Sequence, residues 1–116
     1  MKKILVIEDE KQYREMLAVM LQEAGFVVET APNGKQGIEK VQAHDDIALI
    51  LLDLLMPDVD GITFYYQLVK MLKKHIPVIV LTNVSDATGY EKDIKEVLIK
   101  SNVSLQQVLE TVKKYV

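Results

Sequence analysis

The sequence predicts an α/β domain of three layers, in which five parallel strands alternate with five helices. Short apolar runs without polar alternation recur along the chain, as is typical of strands buried on both faces of a parallel sheet. Segments with apolar residues at helical spacing separate these runs, which implies right-handed crossovers and helices on both faces of the sheet. The chain of 116 residues has the length of one such domain.

The first half of the chain contains three predicted strands and two predicted helices. The strands are expected at 4–7, 26–31 and 47–52. The first helix begins at Lys11 and ends near Gly25, and a shorter helix over 35–43 follows turn residues. Helical spacing predicts that the inward side chains of the first helix are Tyr13, Met16, Leu17, Met20, Leu21 and Ala24.

The second half predicts two strands and three helices. A helix over 63–74 is expected to bury Tyr65, Leu68 and Leu72, and a last helix begins after Ser104, which is a good N-cap residue. Between them, a short helix over 85–95 is weakly specified because Gly89 interrupts it. The strands are expected at 78–81 and 97–99.

Composition excludes several classes of protein. Fourteen basic and seventeen acidic side chains give a net charge of −3 with no long block of either sign, so no general nucleic-acid or anionic-membrane surface is indicated. The chain has no cysteine, which excludes disulfides and thiolate metal sites and fits the cytoplasm, where we expect the protein. Its apolar runs are far shorter than the roughly 20 residues that a membrane-spanning helix needs.

Polar side chains follow four of the five predicted strands. Glu8 and Asp9 come after the first strand, Asp53 after the third, Thr82 after the fourth and Lys100 after the fifth. Parallel α/β domains bind ligands beyond the carboxyl ends of their strands, so we expect these side chains at one site. Three carboxylates gathered at one edge repel each other strongly unless they share a cation.

The chemistry of these residues favours phosphoryl transfer with a hard metal ion. Oxygen ligands without cysteine or nearby histidine predict Mg²⁺, with Glu8 and Asp9 well placed to hold it. Lys100 supplies a positive charge and Thr82 a hydroxyl donor, which suit the oxygens of a phosphoryl group. Because an aspartate carboxylate can carry a phosphoryl group as an acyl phosphate, Asp53 is the predicted phosphoacceptor.

The ordered set of motifs points to a known family. These motifs are Ile7-Glu8-Asp9-Glu10, Asp53-Leu54-Leu55-Met56-Pro57 with Asp60-Gly61, Leu81-Thr82 and Ile99-Lys100. Over essentially its whole length the chain resembles a response regulator receiver domain of two-component signalling, similar to the stand-alone chemotaxis regulator. The resemblance implies one receiver domain over 1–116 with a flavodoxin-like fold and the strand order 2-1-3-4-5.

The resemblance also implies a role for each site residue. Asp53 would accept a phosphoryl group from the phosphohistidine of a sensor histidine kinase or phosphotransfer protein. Thr82 and Lys100 would contact the phosphate. The implied Mg²⁺ ligands are Asp9, Asp53 and the Leu55 carbonyl, with Glu8 acting through a water molecule.

Four features near the fourth and fifth strands depart from the family pattern. Val97 stands where the family has an aromatic residue that rotates inward, and Ser101 stands where proline usually follows Lys100. Asn83 replaces a small residue and is expected to crowd the phosphate site. Thr82 and Lys100 are about one helical turn closer in sequence than usual, which fits a shortened fourth helix. We therefore expect an altered signalling surface.

The preferred hypothesis is a stand-alone receiver domain that is not an enzyme beyond catalysing its own phosphorylation and dephosphorylation. Phosphorylation would switch a surface that binds a downstream protein. The alternative is a phosphorylation-independent interaction module with a degenerate switch. A phosphatase of the haloacid dehalogenase type is disfavoured because Leu55 stands where that chemistry needs a second acid. We expect a monomer or weak dimer without direct binding to nucleic acid or membranes.

Overall fold

The structure, a computed structural model, describes residues 2–53, 61–83 and 94–116. The strands of this part of the chain are β1 (Lys3–Ile7), β2 (Val27–Ala31), β3 (Ile47–Leu52), β4 (Val78–Thr82) and β5 (Ile94–Ile99). Its α-helices are α1 (Lys11–Glu23), α2 (Gly34–Ala43), α3 (Gly61–Tyr66) and α4 (Leu105–Tyr115). The strands pair in parallel in the order β2-β1-β3-β4-β5, which confirms the predicted fold and strand order.

Two apolar cores lie on opposite faces of the sheet. Successive residues of a strand point to opposite faces, so Leu5 and Ile7 enter one core while Ile4 and Val6 enter the other. Helices α2 and α3 cover the first core, and α1 and α4 cover the second. The central strands are therefore buried on both sides, which explains their unbroken apolar sequence.

One glycine allows α2 to approach the sheet closely. A Cβ atom on Gly37 would lie 2.6 Å from the Cδ1 atom of Ile7 and 3.1 Å from the ring of Phe64. These atoms belong to the packed core, where displacement is costly. Gly37 thus sets the distance between α2 and β1.

Local signals in the sequence explain where most helices begin and end. The Asn33 side chain caps α2 by accepting a hydrogen bond from the Gln36 N–H at 2.8 Å. Ser104 and Gln107 form a reciprocal capping box at the start of α4. After α1, Gly25 adopts a φ of 99°, a left-handed conformation that costs little in glycine. None of the helices in the described residues is long and apolar enough to span a membrane.

Strand β5 begins earlier than predicted. The predicted strand was 97–99 and the preceding helix extended to residue 95, but Ile94 already pairs with Val78 and packs against the core. Ile94 pairs with Val78 and Glu96 with Ile79, and this pairing between segments distant in sequence is an effect that sequence periodicity does not report. The remainder of the predicted fourth helix, 85–93, lies outside the described residues.

The third helix is also shorter than the predicted segment 63–74. It continues from Gly61–Tyr66 as a π-helix over Gln67–Met71, and the Leu72 N–H donates to the Gln67 carbonyl at 3.0 Å. Lys73 then adopts a φ of 54°, which ends the helical segment. The predicted burial of Tyr65 and Leu68 is confirmed.

The buried face of α1 is narrower than helical spacing predicts. Leu17 and Leu21 are buried, whereas Met16 is 49% exposed and Ala24 is exposed as well, so the predicted inward positions of Met16 and Ala24 are wrong. Val19 on the same helix is 51% exposed. Helix α1 therefore presents apolar side chains to solvent as well as to the core.

Candidate functional site

Three acids meet at the carboxyl ends of β1 and β3, as predicted. The Glu8 N–H donates to the Ala31 carbonyl at 3.0 Å and the Asp53 N–H to the Ile7 carbonyl at 3.1 Å, so hydrogen bonding between strands continues past the strand ends. One carboxylate oxygen from each of Glu8, Asp9 and Asp53 lies within 4.8 Å of the others. Glu8 and Asp53 are buried, while Asp9 is exposed. These three residues together with Lys100 are called the acidic site below.

Lys100 bridges the two buried acids. It begins the short 3₁₀ turn that follows β5, and its Nζ atom lies 2.5 Å from Glu8 Oε1 and 3.2 Å from Asp53 Oδ2. The lysine side chain is 14% exposed. One ammonium group shared by two buried carboxylates leaves negative charge in excess, even before Asp9 is counted.

Burial is the main cause of the raised pKa of Glu8. This pKa rises from 4.5 to about 7, because burial and the charge of Asp53 outweigh the hydrogen bonds that Lys100 and the Glu10 N–H donate and the positive charge of Lys100. Burial lowers the pKa of Lys100, but its hydrogen bond to Glu8 and the negative charges of Asp53 and Glu8 outweigh that effect, and the pKa is raised overall. The lysine is thus held in its charged form.

The donor set fits a hard divalent cation. Opposite ligands of Mg²⁺ lie roughly 4.2 Å apart because each Mg–O bond is about 2.1 Å, and a water ligand can span a somewhat longer gap. The carboxylate oxygens, all within 4.8 Å of one another, match this scale. A cation would also relieve the burial penalty on the Glu8 carboxylate. The fourth predicted ligand, the Leu55 carbonyl, lies outside the described residues.

Thr82 lies at the same edge of the sheet as Lys100. It is fully buried, ends β4 and pairs in register with Ile99, the residue that precedes Lys100. The ends of β4 and β5 therefore bring the two predicted phosphate-contacting residues to neighbouring positions. The phosphate contacts themselves stay predictions.

Two of the departures from the family pattern are bonded to each other. The Asn83 Oδ1 atom accepts a hydrogen bond from the Ser101 N–H at 3.2 Å. Proline at position 101 could not donate this bond because it has no N–H group. The crowding of the phosphate site by Asn83 remains a prediction. Val97, which stands at the position of the family's aromatic residue, is 36% exposed on β5.

Two residues of α1 belong to the site although sequence reasoning gave them no role there. The Arg14 guanidinium donates to the Glu8 carbonyl oxygen at 2.8 Å. The ring centroid of Tyr13 lies 5.0 Å from Lys100 Nζ. Both residues lie in the first helical turn after the acids, a spacing that could have indicated their proximity to Glu8 and Asp9 but not to Lys100.

Comparison with known proteins agrees with the architecture of this site. A family model described as the response regulator receiver domain matches residues 4–113. The transcriptional regulatory protein CusR of Escherichia coli is 42% identical over 83 residues, which are 69% of this chain and 34% of CusR. ResD of Bacillus subtilis, also a transcriptional regulatory protein, is 36% identical over 103 residues, 84% of this chain and 41% of ResD. The chain thus spans less than half the length of these curated relatives.

A solved structure is similar over the full chain. The response regulator TrrA of Thermotoga maritima, crystallised in complex with Mg²⁺-BeF, is 32% identical with a TM-score of 0.86, and the match covers 100% of both chains. The same regulator in complex with the histidine kinase ThkA has a TM-score of 0.83, with coverage of 100% of this chain and 99% of the regulator.

Proposed function

Because this chain belongs to the response regulator receiver domain family of two-component signalling, we propose that Asp53 accepts a phosphoryl group from a phosphohistidine. The donor would be a sensor histidine kinase or a phosphotransfer protein, and the complex of TrrA with a histidine kinase supports this class of donor. The observation that carries the proposal is the position of Lys100, whose Nζ atom lies 3.2 Å from Asp53 Oδ2 within a cluster of three acids.

In the proposed reaction, a carboxylate oxygen of Asp53 attacks phosphorus and the P–N bond to the donor histidine breaks. The bonding electron pair returns to the ring nitrogen, which takes up a proton from solvent, and an acyl phosphate forms on Asp53. Lys100 neutralises negative charge on the phosphoryl oxygens, and the Thr82 hydroxyl donates a hydrogen bond to one of them. A bound Mg²⁺, held by Glu8, Asp9, Asp53 and the Leu55 carbonyl, would supply further neutralisation of those oxygens.

The signalling role follows from this chemistry. The chain catalyses only its own phosphorylation and dephosphorylation, in the cytoplasm, and phosphorylation changes the affinity of its surface for a downstream protein. Support for the metal comes from the donor set of the acidic site and from the Mg²⁺-BeF complex of TrrA.

A second candidate function is a phosphorylation-independent interaction module. The exposed Val97 and the hydrogen bond between Asn83 and Ser101 favour it, because both alter the region in which the family's conformational switch operates. Amide hydrogen exchange over 94–103, measured with and without phosphorylation, distinguishes the two functions. Unchanged exchange in a phosphorylated chain would favour the interaction module.

The test of the proposed phosphoacceptor uses a small phosphodonor such as acetyl phosphate with Mg²⁺. We expect intact mass spectrometry to show one added phosphoryl group on the wild-type chain, and no added group on Asp53→Asn. Asp46→Asn is the matched control, because Asp46 is an exposed acid that pairs with Lys3 elsewhere in the fold. Equal labelling of the wild-type and Asp53→Asn chains would refute the assignment.

A further inference from the structure

The aromatic ring of Tyr13 faces the lysine of the acidic site. Its centroid lies 5.0 Å from Lys100 Nζ, within the distance at which an ammonium group is attracted to the face of an aromatic ring. Tyr13 is half-buried and packs against the core that α1 and α4 form with the sheet. The ring is therefore held in place by its own surroundings.

The ammonium group of Lys100 contacts two carboxylates and one aromatic ring. Glu8 and Asp53 hold its ammonium group through charge, at 2.5 and 3.2 Å, and Tyr13 holds it through its ring. A lysine head group on a flexible four-carbon stem needs such contacts to keep one geometry. The two acidic contacts depend on carboxylate charges that change when a cation binds or Asp53 is modified, whereas the contact with the ring does not.

We propose that Tyr13 is a positioning residue for Lys100. Its ring keeps the ammonium group directed at Asp53 when the charges of the carboxylates change, so that Lys100 is ready to contact the phosphoryl oxygens. The proposal rests on the proposed phosphorylation of Asp53 and assigns a further residue to that reaction. Because the ring and not the hydroxyl makes the contact, phenylalanine at position 13 should keep Lys100 in place, and an aliphatic residue should not.

The experiment compares Tyr13→Phe, Tyr13→Leu and Tyr13→Met with the wild-type chain. The first readout is the NMR chemical shift of the Lys100 ε-methylene protons, which the ring current of Tyr13 moves upfield. The second is the rate of phosphorylation by acetyl phosphate with Mg²⁺, measured over a range of donor concentrations. Tyr115→Leu is the control, since Tyr115 lies 5.8 Å from an exposed lysine, Lys114, outside the acidic site.

We expect Tyr13→Phe to retain the upfield shift and a rate close to that of the wild type. Tyr13→Leu and Tyr13→Met should lose the shift and slow the maximal rate by about tenfold, the order expected for one partly desolvated cation–π contact. Tyr115→Leu should change neither readout. Use of two aliphatic variants keeps the test decisive if one of them folds poorly.

The outcomes separate this proposal from the proposed function. Phosphorylation of Asp53 at the wild-type rate in a folded aliphatic variant would overturn the role of Tyr13 and leave the proposed function intact. An unchanged Lys100 shift in that variant would also overturn it, because the ring would not face the ammonium group. A wild-type chain that takes up no phosphoryl group on Asp53 would overturn both proposals.

Discussion

Two charged clusters of this domain differ in the ratio of carboxylates to lysines, which is three to one in the acidic site and two to two in the other cluster. The second cluster, called the α2 cluster, lies where the end of α2 meets β1, β2 and the start of β3. Its members are Lys3, Glu29, Lys40, His44 and Asp46. Each of its carboxylates has its own lysine, with Lys3 Nζ 3.0 Å from Asp46 Oδ1 and Lys40 Nζ 2.9 Å from Glu29 Oε1.

The pKa shifts of the two clusters run in opposite directions. Hydrogen bonds from Lys40 and Lys3 lower the pKa values of Glu29 and Asp46, whereas burial raises the pKa of Glu8 in the acidic site to about 7. A carboxylate with its own cation and contact with water is already compensated, and it serves to join structural elements. Buried carboxylates that share one lysine keep negative charge available for a ligand.

The largest effect should come from removal of the shared lysine. In the absence of divalent metal at about pH 8, we expect Lys100→Met to lower the free energy of unfolding by about 3 kcal/mol, since it leaves two buried carboxylates without their ammonium partner. Lys40→Met in the α2 cluster should cost at most about 1 kcal/mol, because its ion pair is partly exposed. Urea unfolding of both variants in EDTA measures the difference. Equal losses would contradict the contrast between the clusters.

The second effect is a decrease in stability with rising pH. Because the pKa of Glu8 is raised to about 7 in the folded chain, its contribution to stability is complete below the unfolded pKa of 4.5 and is lost as pH rises through 7. We expect the free energy of unfolding in EDTA to fall by about 2 kcal/mol between about pH 5 and pH 8 for this reason. Glu8→Gln should abolish that part of the slope in urea unfolding. If the free energy of unfolding of Glu8→Gln still falls over this pH range, groups other than Glu8 cause the pH dependence.

The smallest effect should come from Glu29 and have the opposite pH dependence. Its pKa is lowered in the folded chain, so the stability it contributes is present above the unfolded pKa and is lost as pH falls through the folded pKa. We expect Glu29→Gln to cost about 0.5 kcal/mol near pH 7 and progressively less as the pH falls below 4.5, by thermal or urea unfolding. A cost that grows on acidification would show that the ion pair with Lys40 does not stabilise the fold.

Local patterns in the sequence were sufficient to predict parallel strands and the position of the site, whereas the order of the strands was implied only by the family resemblance. Unbroken apolar runs placed Glu8 and Asp53 at strand ends, and parallel topology then implied that Lys100 lies beside them. The start of β5 was not predictable, because Ile94 belongs to the strand through pairing with Val78, which is distant in sequence. Helical spacing directed Tyr13 inward but could not identify Lys100 as its neighbour, since that contact joins α1 to the turn after β5, which is distant in sequence.

The hydrogen bond between Asn83 and Ser101 has an evolutionary consequence. The bond needs an amide N–H at position 101 and an acceptor side chain at position 83, so proline at position 101 would remove this role of asparagine at position 83. Among homologues, we expect these two positions to covary, with asparagine at the first absent where proline occupies the second. Receiver domains that carry this pair would form a subgroup that the residues at positions 83 and 101 identify.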